Sequence, residues 1–122
     1  MATLNVSLTV STTDATSDRL GISVSDALTT TIPAVNIARV EAPTSGQINI
    51  LSSSVNTSIT YVYIKNTDST NFVTLKLDDA TEFAVLQPAE FLILPLKASV
   101  GLEATADTAA CTLEYGYWTK SA

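Results

Sequence analysis

The amino-acid sequence predicts an all-β protein, an antiparallel β-sandwich of eight to ten short strands. Three observations favour this fold class: apolar and polar residues alternate in most segments, turn-forming residues return about every 8 to 12 residues, and no segment repeats apolar residues at helical spacing. The chain of 122 residues also contains 13 Ser and 19 Thr. Serine is common in turns and threonine in strands, so this composition agrees with the pattern.

The first half of the chain is predicted to form strands that are separated by polar loops. Its first strand alternates apolar residues at Leu4, Val6, Leu8 and Val10. The polar run STTDATSD follows, and a second alternation begins at Leu20. Pro33 interrupts the next strand-like segment, because proline cannot donate to a central ladder. The segment APTSG predicts a turn, after which Ile48 begins another strand.

The segment YVYIKNTDSTNFVTLKL, residues 61–77, has the pattern of a β-hairpin with a polar connection at residues 66–71. Because side chains alternate between the two sides of a strand, each strand has two predicted faces. The predicted sets are Tyr61 with Tyr63, Val62 with Ile64, and Val73 with Leu75 and Leu77. Thr74 and Lys76 lie opposite the last set.

The run FLILPL, Phe91 to Leu96, is apolar on both faces of a strand. Such runs are typical of strands that are covered on both sides, so we expect this strand to be central in its sheet and the most buried of all. Pro95 is expected to end it. The segments DDATE and PAE predict turns before it, and SVGLEATAD and ACTLEYGYW predict the last two strands.

All eight aromatic residues lie after residue 60. Aromatic side chains bury the largest areas, so the second half of the chain is expected to hold the main core. The first half would then supply peripheral strands, some of which complete their packing against other chains. A plain aliphatic half-core explains its composition equally well.

The length favours one β-sandwich domain over residues 1–122, in which residues 1–18 form an N-terminal strand or arm and a polar loop. Cys111, the single cysteine, has no cationic neighbour in the sequence, so we expect a small buried hydrophobe, with a reactive thiol as the alternative. The N-terminal segment has no basic residue before Arg19, which does not fit a signal peptide. Synthesis in the cytoplasm of the producing cell is expected.

The formal net charge is −6, and the six Lys and Arg residues are spread singly along the chain. Proteins that bind nucleic acid neutralise phosphates with clustered cations, and anionic membrane surfaces attract the same clusters. The sequence therefore predicts neither nucleic acid nor a membrane as a partner.

Residue types that carry common chemistry are scarce. The chain has no histidine and one cysteine, which excludes a zinc site and the usual nucleophilic triads. Its four glycines do not form a phosphate-binding loop. We therefore predict no enzymatic activity, no catalytic residue and no cofactor. Asp78, Asp79 and Glu82 crowd one turn, which is either a Ca²⁺ site or an ordinary acidic turn.

The predicted last strand contains three aromatic residues, Tyr115, Tyr117 and Trp118. Alternation places the two tyrosines on one face, which we expect to be the core face, and Trp118 on the opposite face. Trp118 is then a sugar-stacking platform, an interface anchor or an ordinary packed residue.

Three segments within residues 61 to 118 carry a resemblance: YVYIKNTDSTNFVTLKL, LQPAEFLILPL and ADTAACTLEYGYW. Their layout resembles that of small all-β virion proteins of tailed bacteriophages, especially cyanophage-like ones. In those proteins a Tyr/Ile strand ends in Lys-Asn, and a PGEF…LPL hairpin and a final LEY strand follow. This chain has Ala89 where that pattern has glycine.

The resemblance implies a jelly-roll-like capsid decoration (cement) protein, which stabilises the head by bridging major capsid subunits. It implies a location on the capsid surface of a virion made in the host cytoplasm, and a homo-oligomer, most simply a trimer. The N-terminal strand is expected to swing out and add to a neighbour's sheet. The predicted interface residues are Leu4, Val6, Leu8, Val10 and Trp118. The alternatives are a neck, tail or fibre component and a carbohydrate-binding receptor module.

Overall fold

The computed structural model describes residues 2–12, 20–30, 37–53, 60–79, 81–97 and 99–119, and these residues form ten strands and no helix. The strands are β1 Ala2–Thr12, β2 Leu20–Thr30, β3 Ala38–Ala42, β4 Ile48–Leu51, β5 Thr60–Asn66, β6 Val73–Leu77, β7 Glu82–Leu86, β8 Phe91–Leu96, β9 Leu102–Ala106 and β10 Cys111–Thr119. All strand pairs are antiparallel. The predicted all-β fold class is confirmed.

β1 and β2 form a two-stranded sheet that belongs to a compact unit of its own. They pair without a bulge, from Ala2 opposite Thr30 to Thr12 opposite Leu20. The predicted N-terminal strand is confirmed, but it is one side of a hairpin, and swinging out as a single arm would first break this pairing. The polar loop predicted after β1 lies outside the described residues, and the single domain over residues 1–122 stays a prediction.

β3 to β10 form a second compact unit, in which two four-stranded sheets pack as a sandwich. The sheet orders are β3-β10-β5-β8 and β4-β9-β6-β7. Of the connections between consecutive strands from β3 to β10, only the one from β6 to β7 stays within a sheet. This is the order of an eight-stranded jelly roll, so the predicted jelly-roll-like sandwich is confirmed.

The sheet order follows from nested antiparallel pairs. β6 pairs with β7, β5 with β8, β4 with β9 and β3 with β10, so the chain runs out and back like one long hairpin. This ribbon is rolled over, and the additional pairs β5–β10 and β6–β9 complete the two sheets. β5 and β10 are therefore central in one sheet, and β6 and β9 are central in the other.

The core between the two sheets is aliphatic. Its largest fully buried apolar side chains are Ile64, Leu75, Leu102, Leu113, Val62 and Val73, which come from the four central strands. Tyr115 and Tyr117 pack against this core, whereas Phe83 and Phe91 are exposed. Most of the core lies after residue 60, as predicted, but aliphatic side chains provide it.

The predicted hairpin over residues 61–77 is wrong, because β5 and β6 lie in different sheets. The buried residue Asn66 turns the chain at the end of β5. Its side-chain amide donates to the carbonyl oxygens of Asn71, at 2.9 Å, and Leu86, at 3.0 Å. Its Oδ1 accepts from the N–H of Asp68 at 3.0 Å. These bonds hold the connection between the sheets against the end of β7.

The predicted central position of FLILPL is also wrong. β8 is an edge strand that pairs with β5, and its first residue, Phe91, is 60% exposed. Leu92, Leu94 and Leu96 point towards the core, so the outer face is formed by the alternate residues. Pro95 continues the strand instead of ending it, because the unpaired side of an edge strand needs no N–H donor.

The turn formed by residues 87–90 joins β7 to β8 and crosses between the sheets, so the hairpin that the resemblance implies here does not form. The N–H of Glu90 donates to the carbonyl of Gln87 at 3.0 Å, and Ala89 has a φ of 69°. Proline followed by a positive φ is the geometry of a type II turn. The left-handed conformation costs alanine about 1 kcal/mol, which the fold tolerates here.

Candidate interaction surfaces

Aromatic and apolar side chains cover much of the outer side of the β3-β10-β5-β8 sheet. They lie outside because their strand neighbours, such as Val62 and Ile64, point into the core. Two rows cross the sheet, Trp118–Tyr61–Pro95 and Gly116–Tyr63–Ile93. Ile37 precedes β3, lies beside Gly116 and is 54% exposed. We call Ile37, Tyr61, Tyr63, Ile93, Pro95 and Trp118 the aromatic face.

Gly116 provides the space into which Trp118 packs. A Cβ atom at this residue would lie 2.9 Å from Ile37 Cδ1 and 3.3 Å from Trp118 Cη2, so both side chains occupy the space above the glycine. The indole ring is therefore packed down towards the sheet, and the residue is partly exposed. This arrangement leaves part of the aromatic ring exposed on the outer side of the sheet.

A row of charged side chains borders the aromatic face. Arg39, Glu114 and Lys65 occupy neighbouring positions on β3, β10 and β5, and the apolar residue Phe91 ends the row on β8. The Tyr63 hydroxyl donates to Glu114 Oε1 at 3.0 Å, and Arg39 Nη2 lies 3.6 Å from Glu114 Oε2. Burial, followed by the hydrogen bond to Glu114 and its charge, raises the pKa of Tyr63. The phenol is thereby kept protonated as a donor that fixes the Glu114 carboxylate.

The predicted orientation of the last strand is confirmed. Tyr115 and Tyr117 pack against the core. Trp118 lies on the opposite face of β10, where it is opposite Tyr61 of β5. The two tyrosines are thus part of the sandwich, and only Trp118 of these three residues belongs to a candidate surface.

The β1–β2 hairpin has a second apolar surface. Leu8 lies opposite Val24 and Val10 opposite Ile22, and all four side chains are 40 to 55% exposed. Leu4 and Val6 continue the same side of β1 and are partly buried. We call Leu4, Val6, Leu8, Val10, Ile22 and Val24 the hairpin face. Asp26, opposite Val6, is the one charged residue in the described part of the hairpin.

A shallow groove lies at the edge strands β7 and β8. It has a volume of about 480 Å³ and is lined by Val85, Leu86, Ala89, Glu90 and Phe91. Val85 and Phe91 are 46% and 60% exposed. The groove is open and only these five residues line it. It therefore extends the apolar surface along β8 and does not form an enclosed ligand pocket.

The acidic turn caps its own backbone. Asp79 Oδ1 accepts from the N–H of Thr81 at 3.0 Å, and the hydrogen bonds from Thr81 lower the pKa of Asp79. In the part of the chain that the structure describes, which includes Asp78, Asp79 and Glu82, no three acidic, His or Cys side chains are grouped so that they could hold a metal ion.

Cys111 is fully buried and free. Burial, followed by the negative charges of Asp68 and Asp107, raises the pKa of its thiol. Both effects oppose the thiolate, and the buried position of Cys111 that the sequence favoured is confirmed.

The predicted interface residues fall on two surfaces. Leu4, Val6, Leu8 and Val10 share the hairpin face, and Trp118 belongs to the aromatic face. The sequence reasoning missed Ile37, Tyr61, Tyr63 and Ile93 as parts of a surface. The alternation of Tyr61 and Tyr63 with the buried Val62 and Ile64 is the signal that could have revealed two of them.

No helix among the described residues has the length and apolar character to cross a bilayer. The chain matches no protein-family model, no curated protein and no solved structure, so its function is inferred from its own fold and surfaces.

Proposed function

We propose that this chain is a virion structural protein of a tailed bacteriophage, a capsid decoration protein that stabilises the head by bridging neighbouring major capsid subunits. It works by protein–protein contact at the capsid surface as a homo-oligomer, for which we propose a trimer, because a trimer suits the quasi-threefold positions of a capsid lattice. The observation that carries the proposal is the aromatic face.

The composition of the aromatic face suits a protein partner. Trp, Tyr and Arg are enriched in protein interfaces, where a few such residues supply most of the binding energy. Trp118 and Tyr61 lie side by side, and Arg39, with its side chain 67% exposed, stands at the border of the face. Ile37 and Ile93 extend the surface with aliphatic groups, for which a protein surface offers matching contacts.

Two further observations support the proposal. The jelly roll is a fold used by viral capsid proteins, although it also occurs in lectins and enzymes. The segments within residues 61–118 resemble those of small phage virion proteins. Together with the aromatic and aliphatic side chains on the outer side of the sheet, they favour a subunit whose role is contact.

The proposal is tested by adding the purified protein to preformed phage heads. The heads come from the phage that encodes this protein and are prepared without the protein. We expect saturable co-sedimentation and a higher temperature of head disruption. Trp118→Ala should weaken head binding at least about tenfold, because truncating an interface tryptophan commonly costs 2 kcal/mol or more. Phe83→Ala is the matched control, since Phe83 is an aromatic residue, 41% exposed, on the other sheet.

Failure of the wild-type protein to bind heads would overturn the decoration role. Binding to purified tails or necks instead would support the alternative of a neck, tail or fibre component. Equal losses for Trp118→Ala and Phe83→Ala would show that the aromatic face is not the contact surface.

A carbohydrate-binding receptor module is the second candidate, and the packing of Trp118 over Gly116 favours it. A tryptophan ring held along a sheet beside Tyr61 can stack on the apolar side of a sugar ring. Trp118 is the single tryptophan of the chain, so its fluorescence reports this site alone. Saturable quenching by cell-surface sugars, together with no binding to heads, would favour this candidate over decoration.

A further inference from the structure

We infer that β8 is an acceptor edge, to which an extended segment of another protein adds as a further antiparallel strand. The segment is apolar and carries a Lys or Arg at its C-terminal end. This contact lengthens the β3-β10-β5-β8 sheet through main-chain hydrogen bonds. It goes beyond the proposed function and does not depend on it, because the aromatic face is the outer side of this sheet, whereas the acceptor edge is its border.

The backbone of β8 has hydrogen-bonding groups that point away from β5. The N–H of Asn66 donates to the carbonyl of Glu90 at 2.9 Å, which fixes the phase of the ladder between the two strands. Backbone groups of an antiparallel strand point to alternate sides of it, so the even-numbered residues of β8 bond to β5, whereas Phe91 and Ile93 direct their N–H and C=O groups outward. Pro95, which has no N–H, belongs to the outward set. Among the described strands, β5 alone pairs with β8.

β8 has little of the protection that edge strands usually carry. Natural edges are blunted by a lysine, a proline, a bulge or a very short length. β8 pairs with β5 without a register shift from Phe91 to Leu96, and none of its six residues is charged. Its one protection is Pro95, near the end of the strand, whereas Phe91, at the beginning, is 60% exposed. The first half of β8 is therefore open to strand addition.

The shallow groove at β7 and β8 lies beside this open half. It has a volume of about 480 Å³, and Phe91 and Val85 are among the residues that line it. A strand that pairs with Phe91 can place an apolar side chain against the groove and cover both of these exposed residues. Burial of apolar surface then adds to the main-chain hydrogen bonds.

The charge at the beginning of β8 favours a basic residue in the added segment. Residues 77–96, which include β7, β8 and the turn between them, contain four carboxylates and no Lys or Arg. Glu90 lines the groove, and its Oε1 accepts from the N–H of Gln87 at 2.7 Å, which holds the carboxylate beside Phe91. Lys97 lies past the other end of β8. A strand antiparallel to β8 has its C-terminal end at Glu90, so a Lys or Arg is attracted at that end and not at the other.

A second copy of this chain fits the edge less well than a different protein does. Copies with a net charge of −6 repel each other. Two paired β8 strands would also contain Pro95 twice, and each proline leaves the carbonyl opposite it without a donor. A partner strand without proline leaves one such carbonyl instead of two. We therefore assign the acceptor edge to a segment of another protein.

The first test uses the full-length protein and two labelled peptides of identical composition with blocked ends. In both peptides valine and threonine alternate, and a single lysine stands at the C-terminal end of one and the N-terminal end of the other. By fluorescence anisotropy, the C-terminal lysine should give at least about threefold tighter binding, the size of an exposed ion pair. Glu90→Gln should remove this difference and keep the turn, because glutamine also offers an Oε1 to Gln87. Glu41→Gln, at an exposed position of the opposite edge strand β3, is the matched control and should retain it.

The second test removes one outward hydrogen bond. Ile93→Pro should weaken the binding of both peptides at least about tenfold, because strand addition depends on main-chain pairing. The pairing with β5 uses the neighbours of Ile93, so the sheet is retained. Ile93→Val keeps the N–H and should change the affinity less than about threefold.

Hydrogen exchange of the wild-type protein gives a readout that needs no variant. Saturating peptide should slow the exchange of the Phe91 and Ile93 amides at least about tenfold, since both become hydrogen-bonded. The amide of Glu41, on the opposite edge strand, should not change.

Absence of peptide binding, or unchanged exchange at Phe91 and Ile93, would overturn the inference. Equal losses for Ile93→Pro and Ile93→Val would overturn it as well, and equal affinities of the two peptides would refute the basic C-terminal end. Slower exchange of the same amides at higher protein concentration without peptide would show that the edge joins copies of this chain instead. Head binding is tested separately at Trp118, so the two proposals can fail independently.

Discussion

Asn66 shows how a single side chain sets the path of the chain. It is the last residue of β5 and is fully buried. Its side-chain amide donates to the carbonyls of Asn71 and Leu86 and accepts from the N–H of Asp68, at 2.9 to 3.0 Å. Its own N–H donates to the carbonyl of Glu90 at 2.9 Å. A buried amide with all of its partners in place stabilises a unique conformation, because leaving any of these groups unpaired is costly. Asn66 therefore fixes the crossing from one sheet to the other.

Replacing this residue tests that role. Asn66→Ala should lower the free energy of unfolding by about 2 to 4 kcal/mol, since three side-chain hydrogen bonds are lost in a buried site. The control is Asn49→Ala, an exposed position on β4, which should change stability by less than about 0.5 kcal/mol. Urea titration measures both changes. Similar values for the two variants would contradict the role assigned to Asn66.

Gly116 acts by its lack of a side chain. The space above it is taken by Ile37 and Trp118, at 2.9 Å and 3.3 Å from the position of a Cβ atom. The alternation of the last strand does not predict this packing, because a glycine within a strand indicates only that some other group approaches closely. Trp118 is close in sequence, but Ile37, which makes the nearer approach, is distant in sequence, so the local pattern could not reveal it.

At the scale of elements, the edge position of β8 explains why its apolar residues differ in exposure. The residues that point inwards, such as Leu94, pack against the core, whereas Ile93 and Pro95 belong to the outer aromatic face. A run that is apolar on both faces normally indicates a strand covered on both sides. Here the second apolar side belongs to the outer side of the sheet, where Phe91 is 60% exposed.

The energetic consequence separates an edge strand from a central one. Ile93→Ala should cost less than about 1 kcal/mol, because the side chain lies on the outer face of the sheet, whereas Leu75→Ala, at a fully buried position of the central strand β6, should cost about 2 to 5 kcal/mol. Denaturant titration of the two variants decides the matter. A loss for Ile93→Ala as large as that for Leu75→Ala would indicate that β8 is covered on both sides.

At the scale of the whole molecule, the chain contains two compact units that differ in how far a buried core stabilises them. The unit of β3 to β10 has a core that includes no residue of β1 or β2. Its strands are joined by nested pairs between distant parts of the sequence, such as Ala42 with Cys111. The described part of the hairpin unit has one strand pair, and four of its apolar side chains are 40 to 55% exposed. We therefore expect the sandwich to fold without the hairpin.

A truncated chain that starts at Ala34 tests this independence. It should retain a β-type circular dichroism spectrum and a single cooperative unfolding transition. A chain that starts at Pro43 is the control, because it also lacks β3 and so removes Val40 and Ala42 from the core and a pairing partner from β10. Unfolding of the longer truncated chain would show that the hairpin is required for the fold.

The alternation of apolar residues along the sequence settles which side chains of a strand share a face. It correctly groups Val73, Leu75 and Leu77, separates Tyr115 and Tyr117 from Trp118, and identifies β1. These successes have a local cause, since successive side chains of an extended chain point to opposite sides whatever the strand pairs with. The all-β class follows from the same property.

Strand neighbours and the covered face are decided by tertiary packing. The pattern of residues 61–77 fits a hairpin, but β5 lies between β10 and β8 in one sheet, and β6 lies between β9 and β7 in the other. FLILPL fits a central strand, yet the nested pairing places it at an edge. The candidate surfaces show the same division. Alternation groups Leu4, Val6, Leu8 and Val10, but only the pairing of distant strands brings Trp118 beside Tyr61. The reason is that long-range contacts, which no local pattern encodes, decide which apolar face of a strand is covered.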